Sequence, residues 1–148
     1  MPSGRLAVPS EIRMRLEIEI PSDVDYIEQI VSLVQRECRM LDFPARACSL
    51  NVPVALSEAL SNAILRGNEG DRARWVRMRL CLDSTLLVLE VQDEGQGFDL
   101  DECTEDPTED ANILREDGRG LFLMRALMDR VERFHDGGNV VRLTLRRA

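Results

Sequence analysis

Alternation of apolar and charged residues constrains this chain most. Residues 13–20 read RMRLEIEI, with Met14, Leu16, Ile18 and Ile20 on one face, the pattern of a half-buried strand. Two further runs, RWVRMRLCL and TLLVLEVQ, meet at Asp83-Ser84 and read as a hairpin. The segment RFHDGGNVVRLTLRR closes the chain as a second hairpin, turning at Asp136–Asn139. Strands of this kind need a cover on their apolar side, and three segments with helical spacing can supply it.

The first, PSDVDYIEQIVSLVQRECRM, carries Val24, Ile27, Ile30, Val31 and Val34 at helical spacing, with Ser22 and Asp25 resembling a capping box. LDFPARACS reads as a connector. The second helix spans 52–66, with Val52, Leu56, Ala59 and Ala63 as its buried stripe, Pro53 in its first turn, and Gly67 or Gly70 at its end. LFLMRALMDRV is the third. Before it lies an acidic, non-periodic segment, Asp99 to Asp117, long enough to act as a functional loop. The order β-α-α-β-β-loop-α-β-β predicts an α+β fold: one mostly antiparallel sheet with helices on one face. Residues 1–148 read as a single domain, with residues 1–12 as a flexible lead.

Composition excludes some functions. A net charge of −8 argues against indiscriminate binding to nucleic acid or to an anionic membrane. No apolar run is long enough to span a bilayer, and MPSGRLAVPS does not resemble a signal peptide. Cys38, Cys48, Cys81 and Cys103 form no CxxC pair, and His135 is the one histidine, so reduced thiols and a cytoplasmic location are expected and a structural zinc site is not.

Four features carry chemistry. In ALSEALSNAILRGNEG, Glu58 and Asn62 lie four apart and stack on one face of a helix that otherwise reads as core. In VLEVQDEGQGFD, Leu87, Leu89, Val91 and Asp93 share a face, so a carboxylate ends an apolar row and must meet a donor or border a pocket. Gly95 and Gly97 then allow a sharp turn and close approach of a ligand. In DGRGLFLM, Gly118 and Gly120 sit just before a predicted helix, whose first amides suit an anion. Each has a plain reading: DEGQG and GRG are more often tight turns, and Glu58 with Asn62 reads equally as a solvated helix face. Their order and company point instead to a base, a metal ligand, an adenine acceptor and a phosphate cradle.

These residues resemble the GHKL ATPase family, which includes gyrase, heat-shock chaperones and sensor histidine kinases. SEALSNAILRGN is similar to its N box, DEGQGF to its first glycine box and DGRGLFLM to its second, and the likeness covers the chain from about Met14 onward. LFLMRALMDRVE and the acidic run DECTEDPTED are similar to small bacterial anti-sigma factors that are also serine-protein kinases. The resemblance implies a two-layer α/β sandwich of the Bergerat type that binds ATP and Mg²⁺. It implies that Asn62 holds Mg²⁺, that Glu58 orients or deprotonates the attacking hydroxyl, and that Asp93 accepts from the adenine amine. Gly95 and Gly97 would line the base pocket, and Gly118 and Gly120 would offer amides to the phosphates. Arg115 or Arg119 would neutralise the transferred phosphoryl group, or both are surface arginines.

Thr144 matches the threonine of the family's last strand, although it shares a face with Val140 and Arg142 rather than with Val141 and Leu143. Asn68 reads either as a residue lining the site or as a helix cap. Arg66 stands where the N box commonly ends in histidine. The implied function is that of an anti-sigma factor and kinase of a serine on an anti-sigma antagonist; the alternative is a nucleotide-loaded module that sequesters a sigma factor or other partner. The implied partners are a sigma factor, the antagonist and a second copy of the chain. The loop from Asp99 to Asp117 is expected to be a lid. A sensor histidine kinase is not expected, since His135 follows the third helix rather than lying on a dimerisation helix.

Overall fold

Strands β1 (Ile12–Pro21), β2 (Trp75–Asp83), β3 (Leu86–Gln92), β4 (Arg130–His135) and β5 (Asn139–Arg146) form one sheet in the order β1-β2-β3-β5-β4, with each neighbouring pair antiparallel. Helices α1 (Ile27–Met40), α2 (Val52–Asn62) and α3 (Glu116–Leu127) form the second layer of this α+β sandwich. The computed structural model describes residues 12–95 and 116–147. Among them no helix is long and apolar enough to cross a membrane. The predicted lead therefore lies outside the described residues except for Ile12, where β1 begins.

Alternation separates the two faces of the sheet row by row. Leu16, Leu80, Leu89, Leu143 and Val131 stand opposite one another across all five strands, and the row joins the core beneath the helices. The adjacent row, on the other face, reads Glu17, Arg79, Glu90, Arg142 and Glu132. Its charges alternate and pair: Arg79 reaches Glu17 at 2.8 Å and Glu90 at 3.5 Å, and Arg142 reaches Glu90 at 2.7 Å and Glu132 at 3.6 Å. Hydrogen bonding to Glu90 raises the pKa of Arg142 further. Leu89 is fully buried at the centre of the apolar row. Leu89→Ala is expected to cost about 2–5 kcal/mol, read as a lower urea midpoint with an unchanged m-value.

The structure corrects four local expectations. Asp23, not Ser22, caps the first helical segment: its carboxylate accepts from Asp25 N at 2.9 Å, a 3-10 turn (Val24–Tyr26) precedes α1, and Val24 is exposed rather than buried. The connector is largely helical, because Cys48 N donates to Pro44 O and Ser49 Oγ to Ala45 O. A π turn (Ala47–Asn51) then runs straight into α2. Third, α3 begins at Glu116, so Gly118 and Gly120 lie inside it rather than before it. Fourth, α3 stops at Leu127, whose carbonyl accepts from Asn51 Nδ2 at 2.6 Å; Asp129 N then donates to Thr144 O, and Arg130 opens β4. That end agrees with a chain leaving a helix for a sheet ladder.

Candidate functional site

Alternation carries Asp93 to the end of β3 on the side of Leu87, Leu89 and Val91, where it is 2% exposed. A carboxylate so placed needs donors. Its Oδ1 accepts from Gly95 N at 2.7 Å and Asn139 Nδ2 at 3.0 Å, and its own N–H donates to Asn139 O at 3.0 Å. Burial raises its pKa above the ordinary 3.8, against the opposing pull of Gly95, Asn139 and His135. Among the described residues both donors fall on Oδ1, so Oδ2 is the oxygen able to receive a ligand's N–H.

Glycines bring the backbone this close. A Cβ at Gly67 would lie 1.9 Å from Asp93 Oδ2, and one at Gly138 would lie 1.9 Å from Asp93 O. A Cβ at Gly95 would lie 2.3 Å from Gly67 O. Gly67 belongs to the π turn (Ala63–Gly67) that extends α2, closed by Asn68 N donating to Ala63 O. The helix that carries Glu58 and Asn62 thus ends directly on the Asp93 carboxylate.

Glu58 and Asn62 are both half-buried, one turn apart on α2. Across from them runs α3, where Gly120 is buried and a Cβ would come within 3.3 Å of Asn62 Nδ2 and 3.8 Å of Glu58 Cβ. Gly120 is thus a close-approach residue between helices. It stands at the fifth position of α3, inside the helix rather than before it. Gly118, at the third position, keeps an amide in the first turn, where intrahelical partners are lacking. Arg119 is exposed beside it, and Arg66 is exposed on the π turn. Gly97, Arg115 and the expected lid from Asp99 lie outside the described residues, apart from Glu116 and Asp117 at the start of α3.

Thr144 does not join this group. It pairs with Val88 and Arg130, and so lies on the sheet face opposite Asp93. The polar residue of β5 that reaches the site is Asn139, on the side of Val141 and Leu143. Its signal was in the sequence: like Asp93, it is a polar residue at the end of an apolar alternating row. Gly67 gave no comparable signal beyond ending a helix. Asn68 caps the π turn and is fully buried.

A two-layer sandwich whose N-box helix ends on a buried aspartate at a strand terminus defines an ATPase class. Residues 20–145 match the histidine kinase-like ATPase domain, and the chain belongs to that family. It is 28% identical over 134 residues to the serine-protein kinase RsbW of Bacillus subtilis (strain 168), spanning 87% of this chain and 83% of that one. To the serine-protein kinase RsbW of Listeria monocytogenes it is 31% identical over 99 residues, spanning 64% and 63% of the two chains. A crystal structure of the RsbU and RsbW domains of Rv1364c from Mycobacterium tuberculosis is similar with a TM-score of 0.61 and 18% identity. That likeness, over 90% of this chain and 32% of the other, is one of fold.

Proposed function

We propose that the protein binds ATP with Mg²⁺ and phosphorylates a serine of an antagonist protein, while its nucleotide-bound form sequesters a sigma factor. The observation that carries this reading is Asp93: buried, oriented through Oδ1, and met by the end of the helix bearing Glu58 and Asn62. The names of the RsbW relatives support the kinase assignment. Antagonist, sigma factor, a homodimeric state and a cytoplasmic setting come from the family resemblance and belong to the same proposal.

The residues present fit the cofactors. Asp93 Oδ2 would accept a hydrogen bond from the adenine amine, and Gly67 and Gly95 let the backbone close around that carboxylate. Asn62 offers an amide oxygen to a hard cation. Among the described residues no cluster of three or more His, Cys, Asp or Glu could hold a metal. When bound, MgATP would supply the phosphoryl group, with ADP as the leaving group. Glu58, one turn from Asn62, would take the proton of the attacking serine hydroxyl. Its half-buried carboxylate favours an enzyme over a module that only captures partners.

Asp93→Asn tests the base site. The amide keeps an oxygen for Gly95 and Asn139 and turns a donor toward the adenine amine. ATP affinity is expected to fall at least about tenfold in titration calorimetry. The apo protein should respond differently. Because burial raises the carboxyl pKa in the folded state, its protonated form stabilises the fold, and that contribution is lost as pH rises through the raised value. Nucleotide-free wild type should therefore lose stability relative to Asp93→Asn as pH climbs above 3.8, as followed by thermal melts. Unchanged ATP affinity in the variant would remove Asp93 from the site.

A further inference from the structure

We propose that Asn68 is the positioning residue for adenine recognition, fixing Asp93 from behind without touching the nucleotide; this rests on the ATP-binding reading above. Asn68 is 0% exposed. Its Nδ2 donates to Ser22 Oγ at 2.8 Å and to Trp75 O at 2.8 Å, and its Oδ1 accepts from Glu94 N at 2.8 Å. One side chain thereby ties the end of α2 to the exit of β1, the start of β2 and the exit of β3. Ser22 Oγ donates onward to Arg74 O at 2.8 Å, and Glu94 Oε1 accepts from Trp75 N at 2.6 Å, closing the knot.

Position in the chain gives this knot its functional sense. Asn68 follows Gly67, whose backbone touches the Asp93 carboxylate, and it holds Glu94, the residue after Asp93. Both peptide segments that bracket the carboxylate are therefore set by one amide. Its orientation is dictated by its partners: an N–H of Glu94 requires oxygen, and a carbonyl of Trp75 requires nitrogen. Aspartate lacks the donors, and alanine leaves the Glu94 amide and the Trp75 carbonyl unmatched. Glu58 and Asn62 lie on the preceding turns, outside the knot. Loss of Asn68 should then loosen the base end of the site and spare the phosphate end.

The decisive readout is discrimination between ATP and inosine triphosphate, whose ring carries a carbonyl in place of the amine that Asp93 receives. In calorimetry on the full chain with Mg²⁺, wild type is expected to prefer ATP at least about tenfold. In Asn68→Ala that preference should fall to about threefold or less, with affinity for inorganic tripolyphosphate retained. Ser22→Ala, which leaves the Oδ1–Glu94 bond in place, should keep the wild-type ratio. A merely structural asparagine would lower the melting temperature and both nucleotide affinities together, leaving the ratio intact; that result overturns the proposal. Should Asn68→Ala not fold, Asn68→Ser leaves room for a water in place of the amide and should lose the ratio in the same way; a preserved ratio there also overturns it. Failure of the underlying reading looks different, because wild type would then bind neither triphosphate, or both alike.

Discussion

Replacing Glu58 with glutamine is expected to slow phosphate transfer to a serine substrate by about 10²–10⁴-fold, the usual contribution of a general base. Glutamine keeps the shape of the side chain and its packing at the α2–α3 contact, where Gly120 closes on Glu58 Cβ. Nucleotide affinity should change little, since the adenine contact is assigned to Asp93 and the metal contact to Asn62. Asn62→Ala should instead weaken Mg²⁺-dependent binding and transfer together. Labelled ATP and a cognate antagonist protein supply the assay. Equal transfer rates for wild type and Glu58→Gln would remove the base role from Glu58. If wild type binds a cognate antagonist and never phosphorylates it, the kinase reading falls and the nucleotide-loaded binding module takes its place.

Gly67→Ala should have a comparably large effect by steric means. The added methyl would sit 1.9 Å from Asp93 Oδ2 and 2.3 Å from its Cγ, far inside contact distance. Neither side can yield easily: the carboxylate is held by Gly95 and Asn139, and the peptide of Gly67 runs into the buried Asn68. A displacement on the order of 1 Å at a positioning group costs about a hundredfold in rate, so phosphate transfer should fall by roughly that factor and ATP affinity should fall with it. Gly70→Ala is the matched control. It strains a left-handed residue (φ +69°) but meets nothing within 4 Å, so it should lower stability without lowering ATP affinity. Equal affinity losses in the two variants would show that general destabilisation, not contact with Asp93, is responsible.

What the sequence showed, and what it hid, follows from the range of each interaction. Strand faces were legible because alternation is local: Leu87, Leu89, Val91 and Asp93 share a side whatever else the chain does. The same parity sets Thr144 on the opposite sheet face and Asn139 on the face of Asp93, although the family match had drawn Thr144 into the expected site. The start of α3 was hidden, because Gly118 and Gly120 look like turn residues until the facing surface of α2 is known. A methyl at Gly120 would press on Asn62 Nδ2 at 3.3 Å and meet Glu58 Cβ at an ordinary contact distance of 3.8 Å, so the two helices run close together there. Asn68 was ambiguous for a related reason. Its partners Ser22 and Glu94 lie 46 and 26 residues away, and no window of sequence joins them.

The row of alternating charges across the sheet has a consequence for how the strands find one another. A slip of one residue between strands would expose the leucines and is strongly disfavoured. A slip of two is subtler, because it keeps every apolar face inward: Leu80 would then oppose Leu87 or Val91 instead of Leu89, all of them buried. The leucines alone hardly distinguish these pairings. The charges do, since the same slip puts Arg79 opposite Val88 or Gln92 instead of Glu90. Between β3 and β5 it puts Glu90 opposite Val140 or Thr144 instead of Arg142. At the β2–β3 and β3–β5 seams the solvent-facing row therefore encodes pairing information that the core cannot, whereas between β1 and β2 a slip of two can still oppose Glu17 to Arg77. By fixing where β3 ends relative to β5, it also determines that Asp93 emerges beside Asn139.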